Sequence, residues 1–142
     1  MSATHLSGPL YVGGTVVGQS SSGKVTTPTA ATTLTAAQSG SIVALAQAAG
    51  YAVTLPSPAA GLNYRFVVQA LFATTDWVIT SASANMYGTI MEAGVLQAVA
   101  GATTINLELG ADTIGDYIDL YSDGTYWYVS GSTAQAASVT PA

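Results

Sequence analysis

The chain reads as an all-β domain, a sandwich or barrel, on three observations. Short runs rich in β-branched and aromatic residues recur about every 8–12 residues, each closed by turn residues. No stretch holds a helical period for long, and Pro56 and Pro58 stop the one alanine-rich run at 44–50. An Asp-Gly pair at 123–124 lies between two alternating segments, which is a hairpin signal.

Taken in order, the strand candidates are TTLTAA (32–37), SIVALAQ (41–47), YAVTL (51–55), NYRFVVQALF (63–72) and DWVITS (76–81). MYGTIM (86–91), VLQAVA (95–100), TTINLEL (103–109), DYIDLYS (116–122) and TYWYVSG (125–131) complete the set. The separators contain Gln-Ser-Gly, Pro-Ser-Pro-Ala-Ala-Gly, Ala-Gly-Ala and Asp-Gly, all turn chemistry. Residues 1–30 differ: they are rich in small and hydroxyl residues and bury too little apolar area to fold alone, so they read as an extended arm. Within the arm, PLYVGGTVV becomes a strand when laid on a sheet edge. Residues 31–131 form the domain, and 132–142 read as a flexible tail.

The last two segments allow a register to be written. A two-residue loop at Asp123-Gly124 pairs Tyr121 with Tyr126 and Leu120 with Trp127. Alternation then places Ile118, Leu120, Trp127 and Val129 on one face and Tyr117, Tyr121, Tyr126 and Tyr128 on the other. The first face belongs to the core. The tyrosine face is free for a partner, because tyrosine offers large contact area at low entropic cost with a polar tip.

Composition excludes several classes. The 142 residues carry two basic and seven acidic side chains, net charge −5, and only 6% are charged, against about 25% in ordinary domains. Lys24 and Arg65 are too few to neutralise a phosphate backbone or an anionic bilayer, so neither nucleic acid nor membrane is an expected partner. With no cysteine there is no disulfide framework. The first ten residues lack a basic segment followed by an apolar one, and the apolar stretch at 42–55 is interrupted by Gln47, Gly50 and Thr54. The expectation is a protein made in the cytoplasm. A skin this poor in charge has weak colloidal protection, which points to a surface covered in an assembly.

Catalytic and metal constellations are weak. His5 lies in the arm, where nothing holds a base rigidly against a nucleophile. Asp112, Asp116, Asp119 and Asp123 offer hard oxygen ligands for calcium, but their spacing misses the calcium-loop pattern, and turn chemistry explains them better. Glu92 and Glu108 act as a glycosidase pair only if folding brings their carboxyls together. GGTVVGQSSSGK lacks phosphate-loop spacing. Trp77 and Trp127 read as core rather than as a sugar platform. Arg65 reads as half of an ion pair at a rim or between subunits. No enzyme, cofactor or metal site is expected.

TLTAAQSGSIVAL, YAVTLPSPAAGLNYRFVV and IGDYIDLYSDGTYWYVSG together resemble a pattern of small structural proteins of tailed bacteriophages, including head decoration (cement) proteins. The likeness covers about 32–131, and THLSGPLYVGG resembles the first residues of small virion proteins. It implies a jelly-roll-like antiparallel β-sandwich with an extended N-terminal arm, often a homotrimer, that decorates the capsid surface and has no catalytic residues. On that reading Leu6, Pro9, Leu10, Tyr11 and Val12 contact the major capsid protein. Arg65, Tyr117, Tyr121, Tyr126 and Tyr128 lie between protomers. The alternative is a receptor- or glycan-binding module of a tail fibre or spike.

Overall fold

A computed structural model describes the backbone of residues 10–12 and 15–17 and the whole chain over 24–142. Two short strands, β1 (Leu10–Val12) and β2 (Thr15–Val17), pair antiparallel as a ladder of their own. The rest forms two sheets. The larger contains β3 (Val25–Thr26), β5 (Ser41–Leu45), β7 (Asn63–Val68), β9 (Met86–Glu92), β10 (Val95–Ala102), β12 (Tyr117–Ser122) and β13 (Trp127–Thr133), in the order β10-β9-β13-β12-β7-β5-β3. The smaller contains β4 (Thr32–Thr33), β6 (Ala52–Thr54), β8 (Trp77–Thr80), β11 (Thr104–Leu107) and β14 (Val139–Pro141), in the order β14-β11-β8-β6-β4. One 3₁₀ turn at Ala36–Gln38 interrupts the strands.

The all-β sandwich expected from the sequence is what forms, but its sheets are mixed rather than antiparallel. From β3 to β9 the chain alternates between sheets at every step, so each return brings a strand back in the same direction. That makes β3, β5 and β7 parallel neighbours in one sheet and β4, β6 and β8 parallel neighbours in the other. The separators that read as hairpin turns mostly carry the chain across the gap of about 10 Å between packed sheets. Direct hairpins join β9 to β10 and β12 to β13.

The core lies between the sheets and is contributed by alternate residues. Tyr64, Phe66, Ile118, Leu120, Trp127 and Ile90 come from the larger sheet, and Val53, Trp77, Ile79, Ile105 and Leu107 from the smaller. Trp127 packs at 5.9 Å from Tyr64, and Trp77 meets Tyr51 edge-on at 5.5 Å. Both tryptophans are core, as the sequence predicts. Gly88 is required where β9 runs parallel to β13: a Cβ there would overlap the Val129 carbonyl.

Two boundaries differ from the sequence reading. Residues 132–142 are not a frayed tail: β13 continues to Thr133, and β14 pairs with β11 with Val139 buried. The buried Glu92 fixes this return, its Oε2 accepting from the Ser138 N–H at 3.1 Å, while the Ser138 carbonyl accepts from the Glu108 N–H. The sandwich also starts before residue 31, since β3 is already an edge strand and Pro28 is buried.

Candidate functional site

The site is the outer face of the larger sheet. Cross-strand registers place its side chains in three rows. One runs Asn63, Tyr121, Tyr128, Tyr87, Ala100. The next runs Ile42, Arg65, Asp119, Ser130, Thr89, Ala98. The third runs Ala44, Val67, Tyr117, Ser132, Met91, Leu96. Of these, Ile42, Tyr87, Met91, Leu96, Tyr121 and Tyr128 are large apolar or aromatic residues left exposed.

Local chemistry holds the tyrosines in place. The β12–β13 loop spans residues 123–126, two residues longer than a two-residue turn, because Ser122 pairs with Trp127. Asp123 builds it: its Oδ1 accepts the N–H groups of Thr125 at 2.8 Å and Tyr126 at 2.9 Å, and Gly124 takes φ +106°. A slip of two preserves side-chain parity, so the predicted faces survive with different partners. Tyr121 stacks on Tyr128 at 5.3 Å, where Tyr126 was expected. Tyr126 sits in the loop and meets Tyr87 edge-on at 5.2 Å. The Tyr128 hydroxyl donates to Asp123 Oδ2 at 2.9 Å. The three bonds from Tyr126, Thr125 and Tyr128 lower the Asp123 pKa, and the hydrogen bond to Asp123, with desolvation and the Asp123 charge behind it, raises that of the Tyr128 phenol.

Arg65 forms a two-pronged pair with Asp119, Nε to Oδ1 and Nη2 to Oδ2, both at 2.6 Å. Its guanidinium lies 4.9 Å from the Tyr117 ring centroid. The hydrogen bond and charge of Asp119 raise the Arg65 pKa. The expected ion pair is made within the chain, across β7 and β12. The pair, with Ile42, Asn63, Tyr121 and Tyr128, borders an open depression of about 470 Å³.

The remaining aspartates close loops. Asp112 Oδ2 accepts from Phe72 N–H at 2.7 Å, and Asp116 accepts from Thr113 and Ala134 N–H, both at 2.9 Å. Each uses both carboxylate oxygens on backbone donors. Among the described residues no group of three potential ligands gathers for a metal. Glu92 is turned inward to hold the C-terminal segment.

Of the residues singled out from sequence, Arg65, Tyr117, Tyr121 and Tyr128 share the face, with Tyr126 at its end. Leu10, Tyr11 and Val12 form β1, while Leu6, Pro9 and His5 lie outside the described residues. Sequence reasoning missed Ile42, Tyr87, Met91 and Leu96. Alternation in MYGTIM places Tyr87 and Met91 opposite Met86 and Ile90, but both sets are apolar, so the pattern alone does not say which one is buried.

Comparison with protein-family models, with curated proteins and with solved structures found no match.

Proposed function

We propose that this chain is a non-enzymatic structural protein of a tailed-phage particle, one that decorates and cements the assembled head. One observation carries the proposal: exposed Tyr87, Tyr121, Tyr128, Met91 and Leu96 gather on the larger sheet's outer face, whereas the smaller sheet's outer face bears a row of threonines beside a row of Ala52, Val78, Asn106 and Thr140. A surface with two such different sides, and with little charge, suits a protein covered on one side by partners. Tyr117, Tyr121, Tyr126 and Tyr128 then lie between protomers, in a closed ring such as a trimer, and the segment containing Leu6, Pro9 and β1 meets the major capsid protein. Binding the lattice but not the free subunit shifts the equilibrium toward the intact shell.

The test is an image of the particle whose genome encodes the chain. Density at hundreds of copies on the head, with shells that break at lower temperature when the protein is absent, is the expected result. Copies confined to a fibre tip would support the alternative, a glycan- or receptor-binding module, for which the depression beside Tyr121, Tyr128 and the Arg65–Asp119 pair is the natural site.

A further inference from the structure

The four edges of the two sandwich sheets are not protected equally. β3 and β4 offer two residues each, and β14 offers three and contains Pro141, which lacks an N–H. The fourth edge, β10, runs eight residues, VLQAVAGA, with neither charge nor proline. Val95 and Leu96 on it are 69% and 62% exposed. A single bulge between Ala100 and Ala102 is its one irregularity. A long, uncharged edge of this kind is a template for another strand.

The same chain carries a β element in need of one. β1 and β2 pair only with each other among the described residues. A two-stranded ladder is marginal in water and gains stability from a third strand. β3 of the same chain gives it only two residues to pair with. Its own β10 lies six strand spacings from β3, about 29 Å away. Residues 18–24 form the connection from Val17 to Val25, and its eight Cα steps reach at most about 29 Å when fully stretched. A strand docked outside β10 lies one spacing further still, about 34 Å from β3 and beyond that reach. The β10 of another copy imposes no such stretch.

We infer that the β1–β2 hairpin of one copy adds to the β10 edge of a second copy, extending its larger sheet across the subunit boundary. Donor and acceptor are different surfaces, so the contact is head-to-tail and closes into a ring when the rotation allows. With β2 against β10, β1 becomes the new edge and stays available to a shell beneath. The contact forms between free molecules and needs no particle, so it stands or falls separately from the decoration role.

Sedimentation of the full-length chain at tens of micromolar tests it. Val16→Pro removes a strand N–H from β2, outside the sandwich. Ala98→Pro removes a strand N–H from β10 without adding charge to the tyrosine face. The wild-type chain is expected to associate, and each variant to weaken association at least tenfold while keeping the wild-type circular dichroism spectrum. Because the chain has no cysteine, a mixture of Val16→Cys and Ala98→Cys proteins should give a mixed disulfide in excess of either homodimer. A monomeric wild-type chain, association unchanged in either variant, or cross-linking no greater than for Val16→Cys mixed with Thr54→Cys would overturn the inference.

Discussion

Across β6, β8 and β11 the outer row of the smaller sheet reads Thr54, Thr80, Thr104, whereas across β12, β13 and β9 the outer row of the larger sheet reads Tyr121, Tyr128, Tyr87. Both rows face outward from the same core. Threonine suits a strand through its branched Cβ and meets water through its hydroxyl, so the first face is finished as it stands. The second leaves rings and a thioether in solvent and carries the Arg65–Asp119 pair. One side of this charge-poor protein thus meets water largely through a row of hydroxyls, while the other side holds an apolar and aromatic excess.

The largest expected effect separates the outer face from the inner one. Trp127 and Tyr128 are neighbours on β13 pointing opposite ways, 0% and 38% exposed. Trp127→Ala should cost about 3–5 kcal/mol in urea unfolding, by lost burial and a residual cavity. Tyr128→Ala, which loses only the stack on Tyr121 and the bond to Asp123, should cost about 1 kcal/mol, and an equal loss for both would dissolve the distinction.

Next comes the contrast between the two outer faces. Tyr121→Ser with Tyr128→Ser should weaken self-association or particle binding at least tenfold, whereas Thr54→Ala with Thr80→Ala should leave both unchanged. Equilibrium sedimentation and a particle pull-down read this directly, and equal effects would mean the aromatic face is not the contact.

A smaller effect is expected from the ion pair. Both partners are partly exposed, so Arg65→Ala should cost less than about 1 kcal/mol of stability. A much greater loss would show that the pair organises the face rather than decorating it.

The smallest is a pH effect in the β12–β13 loop. The Asp123 carboxyl has a lowered folded pKa, so its contribution is present above the ordinary carboxylate value and is lost as pH falls through the lower folded one. Tyr128 has a raised phenol pKa, so its contribution holds below the ordinary tyrosine value and is lost as pH rises through the higher one. Amide shifts of Thr125 and Tyr126 should therefore move in acid, below the usual aspartate titration, and in base, above the usual tyrosine one, but not between. Movement near neutrality would contradict the assigned bonds.

How far the sequence could be read depends on how local each signal is. The β class, the buried tryptophans and the parity of β12 and β13 follow from alternation over a few residues, so they are legible. The hairpin partner was misjudged by two because the Asp123 side chain, not the Asp-Gly backbone, sets the loop length. The C-terminal strand was hidden because its pairing with β11 and its anchor on Glu92 lie 32 or more residues away in the chain.

Sequence alone determined that this is a charge-poor β-sandwich with a tyrosine-bearing face, since composition and a two-residue period need no knowledge of distant partners. Only the tertiary structure decided that the strands return parallel by crossing between sheets, that Arg65 is matched within its own chain, and that β10 is the long edge left unpaired among the described residues. Those depend on which strands become neighbours, and hydrogen-bonded neighbours across a sheet are chosen by packing of the whole core rather than by residues adjacent in sequence.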